Sequence, residues 1–92
     1  MITTGLRIRG RVQGVGYRDA LCEVAQRLRI GGWVRNRTDG SVEALLQGAA
    51  ERVAEVIVWA RRGPPASRVD ELEIESIEAE PEHRSFERRP TV

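Results

Sequence analysis

The sequence contains no lysine. All 15 basic side chains among its 92 residues are arginine. Chemistry that runs through a lysine amine, Schiff-base formation included, is therefore closed to it. There is one cysteine, Cys22, and one histidine, His83. An internal disulfide is impossible, and His83 has no second His or Cys with which to build a metal cluster. Cys22 lies mid-helix among apolar neighbours and reads as a small core residue. His83 lies in a polar segment near the end and reads as a surface residue. Aromatic residues are 4% of the chain, too few for a surface that stacks nucleic-acid bases. No apolar run approaches the length of a membrane span. Residues Met1 to Gly5 lack the basic region and long apolar core of a signal peptide. The expectation is a cytoplasmic protein with no membrane or nucleic-acid partner, no metal and no cofactor.

Hydrophobic residues make up 40% and charged residues 32%, the balance of a folded globular domain. At 92 residues there is room for one core, so residues 1–92 are expected to form a single domain, and a monomer. Net charge is +1, but it is unevenly spread. Residues 1–46 hold eight arginines against four acids, a net +4. Residues 47–92 hold seven arginines against ten acids, a net −3. An anionic ligand would meet a favourable field in the first half.

That half contains the stretch Gly10-Arg11-Val12-Gln13-Gly14-Val15-Gly16-Tyr17-Arg18. It follows an alternating run, Leu6 to Arg9, and precedes a run with helical spacing. It is therefore expected to be a strand-to-helix turn with glycines at three positions. Glycine reaches backbone conformations closed to other residues. The first N–H groups of a helix have no internal partner. Together with the positive end of the helix dipole they suit an anion. Arg18 falls in the first helical turn, where a cation opposes the dipole by about 0.3–1 kcal/mol. A bound anion would remove that conflict and accept a bidentate guanidinium. On spacing alone, a turn that binds nothing fits as well. Two better-known phosphate loops do not fit. Asp19 stands where Gly-x-Gly-x-x-Gly needs its third glycine, and the Gly-Lys-Ser/Thr loop needs a lysine.

The remaining pattern is regular. Strand one is expected over Leu6–Val12, with Leu6, Ile8 and Val12 inward and Arg7, Arg9 and Arg11 on a solvated face. Helix one is expected from Tyr17 to Arg29, with Ala20, Leu21, Val24, Ala25 and Leu28 as its apolar stripe. Gly31-Gly32 should end it. Strand two runs from Trp33 to Asn36, and Asp39-Gly40 signals a hairpin. Strand three runs from Ser41 to Gln47. Helix two runs from Ala49 to Arg62, with Ala49, Val53, Val56, Ile57 and Ala60 buried, and Gly63-Pro64-Pro65 stops it. Trp59 reads as packing. Strand four begins near Arg68, with Leu72 and Ile74 inward and Glu71, Glu73 and Glu75 solvated; Ile77 breaks the alternation. Ser85 to Arg88 would add a short edge strand anchored by Phe86. The order strand–helix–strand–strand–helix–strand is the ferredoxin-like split β-α-β sandwich, an α+β fold. Both helices should cover one face of a mainly antiparallel sheet, with strands one and three as central neighbours. Asn36 could then approach the glycine turn. Asparagine near a hairpin also serves local turn hydrogen bonds.

Gly10 to Arg18 resembles the signature of the acylphosphatase family. Gly32-Trp33-Val34-Arg35-Asn36-Arg37-Thr38-Asp39-Gly40-Ser41-Val42-Glu43 is similar to the family's second signature, and Gly63-Pro64-Pro65-Ala66-Ser67-Arg68-Val69 falls at a family-like place. The resemblance spans nearly the whole chain in order. It implies metal-independent hydrolysis of acyl phosphates to a carboxylate and inorganic phosphate. It implies that Arg18 binds the phosphoryl group and that Asn36 positions the attacking water. The backbone N–H groups of Gln13, Gly14, Val15, Gly16, Tyr17 and Arg18 match its phosphate cradle. Tyr17 replaces the family's usual phenylalanine and adds a hydroxyl that needs a partner. Arg88 falls where the last strand tends to be apolar.

The chemistry fits the residues. No carboxylate pair, metal-ligand cluster or nucleophile–base pair is evident. Binding a phosphoryl group and orienting water remain, which suffices only for a phosphate with a stable leaving group. A carboxylic–phosphoric anhydride qualifies. A phosphate monoester, leaving as an alkoxide, would need more help. The general base is not identifiable, the phosphate's own oxygen being one possibility. Two other classes share the topology: a catalytically silent regulatory domain of the same fold and an RNA-binding module.

Overall fold

The computed structural model describes residues 1–92. The elements run β1 (Ile2–Arg11), α1 (Tyr17–Arg27), β2 (Gly31–Asn36), β3 (Val42–Gly48), α2 (Ala50–Arg62), β4 (Arg68–Ser76) and β5 (Phe86–Arg88). The sheet order is β4-β1-β3-β2-β5. β1 pairs antiparallel with β3 and β4, β2 pairs antiparallel with β3, and β5 pairs parallel with β2. This is the expected ferredoxin-like α+β arrangement, and the edge strand at Phe86 forms.

Alternation along the central strands builds the core. Leu6 and Ile8 of β1 and Val42, Ala44 and Leu46 of β3 face the helices and are buried. Tyr17, Leu21, Val24 and Ala25 of α1 and Val53, Val56 and Ala60 of α2 close over them. Phe86 seals the β5 side, where the Gln26 amide donates to its carbonyl at 3.1 Å. Burying side chains of this size contributes about 1.5–3 kcal/mol each for the larger ones, which holds the two layers together.

Several boundaries differ from those the pattern suggests. β1 starts at Ile2 rather than Leu6, because Ile2 to Gly5 also pair with Leu45 to Gly48 of β3. α1 ends at Arg27, and the left-handed residue after it is Arg29, φ 58°. Gly31 and Gly32 do not stop the helix but open β2. They are small because other backbone lies close. A Cβ at Gly31 would stand 2.0 Å from the His83 carbonyl oxygen, and one at Gly32 would stand 1.9 Å from that of Leu45. Ala49 is exposed and precedes α2 rather than joining its buried stripe. Ile74, expected inward, is 49% exposed, since β4 is an edge strand. β4 ends at Ser76, just before Ile77. His83 is half-buried rather than superficial. Its ring lies 2.8 Å from Glu80, and its backbone N–H donates to Gln47 Oε1 at 2.7 Å.

The uncovered face of the sheet carries a lattice of ion pairs, and the β4 glutamates on it are exposed as expected. Arg9 reaches Glu71 at 3.2 Å and also pairs with Glu73. Glu43 collects Arg35 at 2.8 Å, Arg37 at 2.9 Å and Arg7 at 3.7 Å. Burial works against the Glu43 charge, but hydrogen bonds from Arg35 and Arg37 outweigh it and hold the carboxyl below its ordinary value. The Arg35 and Arg89 guanidiniums both lie over the Trp33 ring, 4.6 and 5.1 Å from its centroid.

Candidate active site

The turn from Val12 to Tyr17 has a backbone made for donors. Gly14 (φ 73°) and Gly16 (φ 79°) both take the left-handed conformation, which glycine adopts at little cost. Space is not what demands glycine here, because a Cβ at either position would meet nothing within 4 Å. No backbone hydrogen bond made outside the helices and strands has its donor between Gln13 and Arg18. The first such donor in α1 is Ala20, bonding the Gly16 carbonyl at 3.1 Å. The N–H groups of this turn thus lack backbone partners at a helix N-terminus, where an anion is favoured.

Arg18 stands apart from the other arginines. Six arginines are partly withdrawn from solvent: Arg7, Arg9, Arg18, Arg35, Arg37 and Arg89. Five of them hold a carboxylate within 4 Å, and Arg18 holds none. Its neighbour Asp19 is bonded instead to Arg88 at 2.7 Å. Arg88 thus engages the acid next to Arg18 in the sequence.

Asn36 ends β2 and is only 9% exposed. It pairs with Val42, and Val42 pairs with Ile8, so the three share one row and one face. Two strand spacings, roughly 10 Å, separate the backbones of Ile8 and Asn36. That face is the one from which β1 leads into the glycine turn. The Asn36 Oδ1 is buried and has no hydrogen-bond partner. The local turn bonds are made by Asp39 instead, whose carboxylate accepts from Ser41 N and Oγ at 2.9 and 2.6 Å. Those hydrogen bonds hold the Asp39 carboxyl below its usual range. An unsatisfied buried carbonyl costs about 1–3 kcal/mol, so its retention asks for a reason.

Two side chains act as struts that hold these pieces in place: Gln13, whose role only the fold reveals, and Tyr17, whose hydroxyl finds the partner it was expected to need. Gln13 Nε2 donates to the carbonyls of Arg37 and Ser41 at 2.8 and 2.9 Å. Only its type, a donor-rich amide beside a flexible turn, hinted at that in the sequence. Tyr17 is buried, its ring packs on Trp59 with centroids 5.5 Å apart, and its hydroxyl donates to the Ala60 carbonyl at 2.6 Å. Burial pushes the Tyr17 phenol well above its ordinary pKa, so it stays protonated as a structural donor. Burial also raises the Cys22 thiol, with Asp19 adding to the effect, so Cys22 is no thiolate nucleophile.

A ferredoxin-like sheet whose first turn has N–H groups without backbone partners, followed by an arginine without a carboxylate partner, defines a small α+β protein with the features of an anion site. The profile of the Acylphosphatase family matches residues 4–88. A protein named acylphosphatase from Acidovorax sp. (strain JS42) is 53% identical over 91 residues, covering 99% of this chain and 93% of the relative. One from Pyrobaculum islandicum (strain DSM 4184 / JCM 9189 / GEO3) is 49% identical over 88 residues, covering 95% and 93%. The crystal structure of acylphosphatase from Bacillus subtilis superposes with a TM-score of 0.93 at 30% identity, covering 97% of this chain and 99% of the other. The chain belongs to the acylphosphatase family, and its function is the hydrolysis of acyl phosphates.

Proposed function

We propose that this domain hydrolyses acyl phosphates at the Gln13–Arg18 turn, with Arg18 and Asn36 as its catalytic residues and without a metal ion. The single observation that carries the reading is that Arg18, half-buried and without a carboxylate partner, follows a turn whose N–H groups have no backbone partner. The N–H groups from Gln13 to Arg18 and the guanidinium hold the phosphoryl oxygens. Their positive ends stabilise charge that grows on those oxygens in the transition state. The Asn36 amide orients a water for in-line attack. The water oxygen bonds to phosphorus as the bond from phosphorus to the acyl oxygen breaks. The carboxylate leaves with that electron pair, and the water proton passes to a phosphate oxygen. Because the leaving group is a weakly basic carboxylate, positioning and charge stabilisation suffice.

The same reading makes the protein a cytoplasmic monomer with only small-molecule partners, the acyl phosphate and inorganic phosphate. The exposed edge of β4 carries Glu71, Glu73 and Glu75, a like-charged row that discourages strand pairing between copies. The uncovered sheet face offers one aromatic, Trp33, and Arg7, Arg9 and Arg35 there are already engaged by carboxylates. Neither feature suits base stacking. The test is turnover of benzoyl phosphate with a chelator present. Hydrolysis inhibited competitively by inorganic phosphate supports the reading, and activity that the chelator abolishes overturns its metal-independent part.

A further inference from the structure

We infer that the cleft between α1 and the α2–β4 loop receives the acyl group of the substrate and favours bulky aromatic acyl phosphates over acetyl phosphate. The inference rests on the roles proposed for Arg18 and Asn36. In-line displacement sends the leaving group away from the attacking oxygen. With water held at Asn36, the acyl oxygen departs on the side of the turn remote from the β2–β3 hairpin. Strand order fixes what lies there. β1, which leads into the turn, has β3 on one flank and β4 on the other. Asn36 belongs to the β3 flank. β4 starts at Arg68, opposite Arg11, so the loop that precedes it borders the other flank.

That flank holds a cleft of about 490 Å³, with Ala20, Trp59, Arg62, Pro64 and Pro65 among its lining residues. The size suits a small organic group. Ala20 lies one helical turn from the phosphate turn, since its N–H bonds the Gly16 carbonyl at 3.1 Å. Gly63 packs against the Tyr17 ring, which a Cβ there would approach to 2.9 Å. The half-buried Trp59 is braced by Tyr17, with an interplanar angle of 52°. Ser67 Oγ donates to the Pro64 carbonyl at 2.6 Å, and the two prolines restrict the loop backbone. A rigid aromatic and proline wall beside a small floor residue favours a flat apolar group over a methyl.

Steady-state kinetics on benzoyl and acetyl phosphate, with inorganic phosphate as inhibitor, test this. Ala20→Phe fills the cleft. It should lower kcat/KM for benzoyl phosphate by about tenfold or more while changing acetyl phosphate turnover and phosphate inhibition by less than about twofold. Trp59→Ala removes the wall and should show the same selective loss, which keeps the test decisive if Ala20→Phe fails to fold. Equal loss for both substrates, or no loss for either, overturns the acyl cleft. Failure of the underlying site is separately visible. An Arg18→Ala protein still inhibited by phosphate like the wild type would sink that reading and this inference with it.

Discussion

The side-chain Nε2 of Gln13 lies 2.8 Å from the backbone carbonyl oxygen of Arg37. One amide thereby ties the glycine turn after β1 to the hairpin after β2, and a second bond to Ser41 at 2.9 Å fixes its angle. The turn keeps its own N–H groups free because this side chain, not the backbone, anchors it. Preorganisation of that kind lets donors wait for a charge without rearranging.

Arg18→Ala should cost at least about a thousandfold in kcat/KM for benzoyl phosphate, as loss of a main charge-stabilising donor does. The guanidinium makes no ion pair in the fold, so thermal unfolding should stay near wild type. A folded variant with activity within tenfold of wild type would remove Arg18 from the mechanism.

Asn36→Ala should lower kcat far more than it raises the inhibition constant of phosphate, because the amide handles water rather than the phosphoryl group. Its Oδ1 is buried without a partner. Relief of that unsatisfied carbonyl, about 1–3 kcal/mol, offsets much of the lost packing, and the melting temperature should shift by only a few degrees. Unchanged kcat would exclude the assigned role.

Tyr17→Phe removes the 2.6 Å bond to the Ala60 carbonyl. Stability should fall by about 1–2 kcal/mol, or about 5–10 °C in Tm for a domain of this size. Turnover at low temperature should be retained, since the hydroxyl points to α2 and not into the turn. Calorimetry beside an activity assay separates the two effects.

Glu43 makes stability pH-dependent. Its carboxyl is held below the ordinary value in the fold, so its contribution is present above about pH 4.3, the unfolded value, and is lost as pH falls through the folded one. Glu43→Gln leaves Arg7, Arg35 and Arg37 facing one another. It should cost about 1–2 kcal/mol at pH 7. Urea midpoints of the two proteins should differ at neutral pH and draw together near pH 3. A constant difference across that range would contradict the assignment.

Element order and type were legible because they depend on local spacing. Period-two alternation marked Leu6 and Ile8, and three-and-four spacing marked Leu21, Val24 and Ala25. Gly31 and Gly32 read locally as a helix stop, but their demand for glycine is tertiary. The carbonyls of His83 and Leu45, both distant in sequence, lie where a side chain would go. The acidic row of β4 is exposed, as its alternation suggests, but its pairing with Arg9 is illegible for the same reason, since Arg9 reaches it only across paired strands.

By itself the sequence determined the alternation of strands and helices, the glycine turn that opens α1, and the presence of Arg18 and Asn36. These follow from residue type and near-neighbour spacing, which local sterics and periodicity dictate. The tertiary structure alone decided that Gln13 braces the turn on the hairpin, that Arg88 engages Asp19 while Arg18 stays unpaired, and that the Asn36 carbonyl is buried without a partner. Such pairings join residues 24 to 69 positions apart, and only closure of the sheet and packing of the helices bring those side chains within hydrogen-bonding reach.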